Sequence, residues 1–406
     1  MSSNWGSGYK SDLYYGDLPK APIDAKKQGV SETARPGEAD GWFIRGPLDL
    51  PFLMLTVIIL CFGVVMVFSA SYASAYYETG KPTHYFMRQS IFAVLGIVVM
   101  MLVSRINYRK YKQMAPLIMG VSIILLITVL FIGVRSGDAR RWIDLGFTTF
   151  QPSELVKLAI ILLFAKMICA YKHKMRTFRY GVLPFALLLV LVCFLLYLEP
   201  HLSAMVIVLC IGATMMFLGG TRKFWFVGGV LVVALAAWLI IGQLGYASSR
   251  IAAWRDPFSD TQGVGWQIIQ SLYSIGSGGL TGLGLGNSRQ KFLYLPEEHN
   301  DFIFSVLCEE LGFIGAVIVI LLFMLLIVRG YWIAAHARDK YGTLIAAGIS
   351  TLLAFQVFFN IAVVTNFIPV TGISLPFFSY GGTALVMQLA EMGIVLSVAR
   401  NAPITA

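Results

Sequence analysis

The sequence predicts an all-α polytopic membrane protein, and three observations carry that prediction. Of its 406 residues 57% are hydrophobic and 13% charged, where a soluble domain of this size carries about 25% charged residues. Apolar runs long enough to cross a bilayer, which takes about 20 mostly apolar residues, recur ten times. The basic residues sit mainly in every second connection between those runs, the pattern that sets orientation in a membrane. The net charge of +10 therefore reads as a topology signal and not as a nucleic-acid footprint, in keeping with a mean hydropathy of +0.75.

Taken in order, residues 1–45 are polar, rich in Gly, Ser and Tyr, with acidic and basic residues in balance; they read as a disordered cytoplasmic tail. No cleavable leader is expected, because the first apolar run is long enough to span. The runs of the membrane domain, residues 46–400, start near Leu50, Phe86, Ala115, Glu154, Gly181, Leu202, Phe224, Phe302, Thr343 and Gly381, and residues 401–406 form a short C-terminal tail. Basic connections at 105–112, 172–179, Arg222-Lys223 and 329–340 follow the second, fourth, sixth and eighth runs. That side is cytoplasmic by the positive-inside rule, and an even number of spans leaves both termini there.

The opposite side carries the unusual connections. Residues 135–153 hold three arginines against the orientation bias, among them Arg140 and Arg141 beside Trp142. Glu199-Pro200-His201 is a tight polar hinge. Residues 245–300 form a long extracytoplasmic loop between the seventh and eighth helices, far beyond ordinary loop length. Its Gly282-x-Gly284-x-Gly286 run is followed by no Lys-Ser/Thr and opens no strand–helix unit, so it is neither nucleotide motif and reads as a flexible loop. Residues 366–382, NFIPVTGISLPFFSYGG, are too apolar for a free loop and are expected to be buried against protein. Cys61, Cys169, Cys193, Cys210 and Cys308 lie in or beside apolar runs and read as small packing residues.

Leu295-Pro-Glu-Glu-His-Asn-Asp-Phe-Ile-Phe304 packs acidic residues and a histidine against the start of the eighth run. Asp301, followed at once by Phe302, Ile303 and Phe304, stands at the expected lipid–water boundary, either as a general base or as the N-cap of the next helix. Lys157 lies one turn into the fourth run, after Gln151-Pro152-Ser153-Glu154. A lysine facing lipid costs up to about 2.5–3.5 kcal/mol, so it faces a cavity or a partner: an anion, or Glu154 at i,i+3 spacing. Arg140 and Arg141 suit phosphate and equally suit lipid headgroups; Arg88 carries the same two readings. Glu309 and Glu310 read as lining a wet interior or pairing with a buried base. His201 and His299 read as hydrogen-bonded residues, since no His/Cys cluster accompanies them.

LPEEHNDFIF followed by CEELGFIG, together with RRWIDLG, FQPSELVKL and PVTGISLPFFSYGG, resembles the SEDS family (shape, elongation, division, sporulation) from about Pro47 to Arg400. The chain looks closer to the FtsW and SpoVE branch than to RodA. The resemblance implies a peptidoglycan glycosyltransferase that polymerises lipid II at the outer face of the bacterial cytoplasmic membrane during cell division. It implies Asp301 as the catalytic residue, and substrate or pyrophosphate contacts from Lys157, Arg88, Arg140 or Arg141, and the Ser379-Tyr380-Gly381-Gly382 turn. Glu154, in the same motif as Lys157, and Glu199 are counted with those contacts. Where many members have Gln-Pro-Asp-Leu-Gly, this chain has Glu199-Pro200-His201-Leu202-Ser203, which makes Glu199 the available carboxylate. A divalent cation, Mg or Mn, is implied, with no dedicated protein metal cage and no nucleotide or organic cofactor. The implied partners are lipid II, a class B penicillin-binding protein and division-machinery membrane proteins, with no nucleic acid. Two rival readings remain: a lipid II flippase, which needs a polar path through the midplane, and a non-catalytic scaffold, which tolerates neutralisation of Asp301.

Overall fold

A computed structural model describes residues 43, 46–136, 139–146, 148–243, 245–259 and 263–402. Apart from Phe43, the expected tail at 1–45 lies outside the described residues, as do residues 403–406. The helices are α1 (Leu50–Thr79), α2 (His84–Arg105), α3 (Tyr108–Ile132), α4 (Pro152–Tyr171), α5 (Phe178–Gly181), α6 (Leu183–Leu198), α7 (Leu202–Leu218), α8 (Lys223–Gln243), α9 (Gly245–Arg255), α10 (Val264–Ser277), α11 (Ile303–Ala335), α12 (Lys340–Val364) and α13 (Gly382–Arg400). Each of the ten apolar runs is helical. Among the described residues seven helical stretches are long and apolar enough to cross a membrane. Three short strands, β1 (Val134–Ser136), β2 (Ala139–Asp144) and β3 (Thr149–Phe150), form an antiparallel sheet in the order β1-β2-β3 between α3 and α4.

Two helix starts are capped by aspartates that double as tie points between helices. Asp49 accepts from the Phe52 amide at 3.0 Å and pairs with Arg329 of α11 at 2.7 Å. Asp339 accepts from the Gly342 amide at 2.8 Å and pairs with Arg109 of α3 at 3.0 Å. Both pairs lie at the end of the bundle that carries the basic connections, so part of that positive charge is spent on holding helices together. Helix α12 is buried along most of its length, whereas α2 and α3 turn apolar residues such as Leu95, Val98, Leu117 and Ile124 outward, as lipid-facing helices do.

Helix α11 revises the boundary expected at Asp301. Its 33 residues would run about 50 Å at 1.5 Å per residue, well beyond a hydrocarbon core of about 30 Å. Gly312 breaks it, with φ 65° and ψ −168°. Ile303–Glu310 are buried in protein, and only from Phe313 onward does the helix expose apolar side chains such as Phe313 and Ile314. Asp301 therefore sits roughly 15 Å of helix before the exposed apolar face, and Phe302, Ile303 and Phe304 fill core instead of meeting lipid. The apolar run alone cannot distinguish these two fates, because both demand the same residues.

The stretch at 245–300 contains α9 and α10, and its glycine run is an ordered strap, not a flexible loop. Leu283 and Gly284 donate to the carbonyls of Glu309 and Glu310 at 3.0 and 2.9 Å, and Phe313 and Ile314 donate to Gly279 and Leu280 at 2.9 and 3.1 Å. The strap thus takes up the backbone groups freed by the break at Gly312. Glu310 is fully buried and pairs with Lys291 at 3.1 Å, with Ser69 of α1 donating to the same carboxylate at 2.7 Å. Glu309 accepts from Ser274 at 3.1 Å and from the Arg289 amide at 2.9 Å. Pairing with a buried base is the reading that holds for Glu310.

Candidate active site

Four separate parts of the chain converge on Asp301: segment 366–381, Asn360 of α12, Arg250 of α9 and Arg141 of β2. The first is the segment 366–381, which is non-helical and buried at Val370, Ile373, Leu375, Phe377 and Phe378. Beyond its own turn at 375–379, it is anchored from other elements. Arg250 of α9 donates to the Val370 carbonyl at 2.7 Å, Ser203 of α7 to the Thr371 carbonyl, and Asn360 of α12 to the Ile373 carbonyl at 2.8 Å. Trp254 donates to the Asn366 carbonyl at 3.1 Å. Gly372 has φ +72°, and a Cβ there would stand 3.2 Å from Asp301 Oδ2. The glycine supplies both the left-handed backbone and the room for the carboxylate.

Asp301 itself is half-buried. It does not cap α11: the N-cap position is Phe302 and makes no side-chain capping bond. Burial, then the nearby Glu297, push its carboxyl up to about 6, while Arg250 and Arg141 pull in the opposite direction. Removing a carboxylate from water disfavours the charged form, and the two guanidinium groups offset part of that cost. A half-accessible carboxylate with no structural bond to satisfy and a pKa just below neutrality is suited to accept a proton.

Arg141, on β2, points to the α6–α7 hinge and donates to the carbonyls of Glu199, at 3.5 Å, and Pro200. The Glu199 carboxylate is buried, and neither of its oxygens has a hydrogen-bond partner; burial pushes it up to about 8, against the pull of Arg141. His201 approaches Gln151 at 3.5 Å; burial, then Arg141 and Lys157, push it down to about 3, so it is neutral at pH 7. Lys157 is buried and pairs with Glu154 at 2.7 Å. Glu391 of α13, also buried, lies within electrostatic range of both. Arg141 and Lys157 both lie within electrostatic range of His201, so the Glu154–Lys157 pair and the Arg141 hinge share one wall.

The family model described as a cell cycle protein, covering FtsW, RodA and SpoVE, matches residues 50–403. This chain belongs to the FtsW/RodA/SpoVE family. Stage V sporulation protein E of Bacillus subtilis is 41% identical over 87% of this chain and 97% of that protein. A probable peptidoglycan glycosyltransferase FtsW of Trichlorobacter lovleyi is 39% identical over 88% of this chain and 95% of that protein. Among solved structures, a chain from a peptidoglycan synthase complex that coordinates polymerization and crosslinking matches with a TM-score of 0.73 at 32% identity, covering 87% of this chain and 98% of that one. The rod shape determining protein RodA of Thermus thermophilus matches with a TM-score of 0.65 at 30% identity, over 87% and 97%. The identities to sporulation and FtsW proteins agree with the likeness to the FtsW and SpoVE branch, and the helical, multi-pass fold is the family's.

Set against the family motifs, the structure brings some residues together and leaves others apart. Of the Arg88-Gln89 pair, it is Gln89 that is buried, donating to the Ser379 carbonyl at 3.2 Å and accepting from the Gly381 amide at 3.3 Å; Arg88 is exposed. Arg140 is exposed as well, so of the two adjacent arginines Arg141 is the one turned toward the site. The turn at 379–382 spends its polar groups on the backbone before Asp301: Ser379 donates to Asn300 at 2.7 Å, and the Tyr380 amide donates to His299 at 2.9 Å. Tyr380, Tyr85 and His299 form an aromatic cluster, with Tyr85 stacked on His299 at 4.7 Å between ring centroids. Arg250, Gln89, Gly372 and Asn360 were not candidates from the sequence. Asn360 did carry a signal: it is an amide inside the apolar run Phe355-Gln-Val-Phe-Phe-Asn-Ile-Ala-Val-Val364, where an unpaired polar group is costly.

Proposed function

We propose that this chain is a peptidoglycan glycosyltransferase in which Asp301 acts as general base in lipid II polymerisation. The 4-hydroxyl oxygen of the acceptor GlcNAc attacks the anomeric carbon of the MurNAc donor. The bond from that carbon to pyrophosphate breaks, and the hydroxyl proton passes to Asp301, so an α-linked donor yields a β-1,4 bond. General-base help contributes roughly 10²–10⁴-fold; positioning and stabilisation of the departing pyrophosphate supply the rest. Lys157 and Arg141 are the charges assigned to that anion. Arg88, Arg140 and the turn at Ser379, Tyr380, Gly381 and Gly382 act at one remove, on headgroups or on the segment before Asp301; Glu154 holds Lys157, and the Glu199 backbone carbonyl, not its carboxylate, receives Arg141 at the hinge.

The observation that carries the reading is the Asp301 carboxylate: half-buried, bonded to nothing structural, and flanked by Arg250 and Arg141. Among the described residues no three His, Cys, Asp or Glu side chains cluster to hold a metal. Mg²⁺ commonly binds through substrate phosphates and only one or two carboxylates, so a divalent cation that arrives with the diphosphate needs no dedicated protein cage. Such a cation would neutralise charge on the leaving group.

The same reading includes ten spans with both termini cytoplasmic, the active face outside the bacterial cytoplasmic membrane, and a class B penicillin-binding protein and division-machinery proteins as partners. It is supported by the helix formed at each of the ten runs and by the similarity to a synthase complex that couples polymerization to crosslinking. Purified Asp301→Asn, assayed with its crosslinking partner, should bind lipid II and make no glycan; near-normal polymer from that variant would sink the assignment.

A further inference from the structure

The side-chain amide of Asn360 ties together the two walls that enclose the proposed base. It is fully buried, and its Nδ2 donates to the carbonyl of Asp301 at 2.8 Å and to the carbonyl of Ile373 at 2.8 Å. Two carbonyl acceptors require the NH₂ face of the amide, since the oxygen would repel both. The amide orientation is therefore set by its neighbours. Its own oxygen, Oδ1, is buried without a partner, an arrangement costing about 1–3 kcal/mol. A helix core that required only volume would be better served by leucine at this position.

The two carbonyls belong to the peptide of the base and to the residue after Gly372, the glycine whose missing Cβ leaves room for Asp301 Oδ2. One amide thus fixes the direction in which Asp301 leaves the backbone and the position of the wall it faces. The acceptors lie 59 and 13 residues from Asn360 in the chain; Ser379 and Tyr380 join the same two segments at Asn300 and His299, and Asn360 is the side chain that joins them at Asp301 itself.

We propose that Asn360 is a positioning residue for catalysis, holding the Asp301 carboxylate in register with the Gly372–Ile373 peptide. This rests on Asp301 being the base. Loss of the clamp lets the carboxylate drift, and a displacement near 1 Å costs about 10²-fold in rate, while lipid II binding, made by other residues, is retained.

The test compares Asn360→Leu, Asn360→Asp and Asp301→Asn with the parent as purified full-length protein with its crosslinking partner, measuring kcat, KM for lipid II, the pH–rate profile and melting temperature. Asn360→Leu should lower kcat about 10–100-fold with KM within twofold. Asn360→Asp, nearly isosteric, should also lower kcat at unchanged KM, because a buried carboxyl can donate at most one proton and leaves one of the two carbonyls unheld. If Asp301→Asn is inactive while either folded Asn360 variant keeps kcat within twofold, the positioning role is overturned and the base assignment stands. It is overturned equally if the Asn360 variants lose rate only in proportion to lost folded protein, with no fall in kcat per folded molecule. Activity in Asp301→Asn overturns the base assignment itself.

Discussion

Replacing Gly372 by alanine separates room for the base from ordinary backbone strain. The residue has φ +72°, where an L-residue with a Cβ pays about 1–2 kcal/mol. The new methyl would stand 3.2 Å from Asp301 Oδ2 and 3.8 Å from Ser203 Oγ. The first distance is a few tenths of an ångström inside a comfortable contact, so the carboxylate must move by about that amount. Scaled from about 10² per ångström, the shift predicts a fall in kcat of roughly threefold to tenfold, with KM for lipid II unchanged. Gly80→Ala is the control, since Gly80 has φ +70° and nothing within 4 Å of its added Cβ. Both variants should lose similar thermal stability in detergent, and only Gly372→Ala should lose polymerisation rate. Equal rates in the two variants, at equal loss of stability, would refute the reasoning that the glycine makes space for the base.

Two further outcomes follow from the same geometry. Because burial and Glu297 lift the Asp301 carboxyl to about 6, and the base must be deprotonated to work, polymerisation should be lost as pH falls through about 6, by about tenfold per unit below it; a flat rate from pH 7 to pH 5 would contradict this. Lys291→Met leaves Glu310 buried and unpaired, which costs about 3–5 kcal/mol and should lower the melting temperature markedly, whereas adding Glu310→Gln should recover much of the loss; an unchanged melting temperature in the single variant would show that the strap is not held by this pair.

Much of this architecture is legible in the sequence because membrane physics leaves few choices. Ten apolar runs with alternate basic connections point to helices, and helix stands at each of the ten runs. Asp301 and Lys157 were conspicuous for the same reason, as charges beside apolar residues. What was not legible depends on pairings across hundreds of positions. Lys291 reads as a loop lysine until Glu310 and Ser69, the latter 222 residues away, are brought to it. Arg88 looks like the functional member of its pair, yet the fold buries Gln89. The break at Gly312 is hidden because glycine is frequent in membrane helices and its φ is not written in the residue type.

The location of Asp301 acquires a different explanation from the one the apolar run suggested. A carboxylate at a lipid boundary would be solvated on one side and would keep an ordinary acidity, near 3.9, making it a poor proton acceptor at neutral pH. Setting it back from the exposed part of α11, against Phe302 and the buried segment 366–381, removes water and strengthens it as a base. That gain needs restraint, since full burial without nearby positive charge would neutralise the group altogether. Arg250 and Arg141 provide the restraint, and each also donates to a backbone carbonyl of the surrounding wall, Val370 for one and Glu199 and Pro200 for the other. The same two arginines therefore shape the enclosure and limit how far it perturbs the acid. That coupling makes a conservative change at either arginine a change in geometry and in acidity together, so neither variant alone can apportion the two, whereas the Gly372 and Asn360 variants perturb position first.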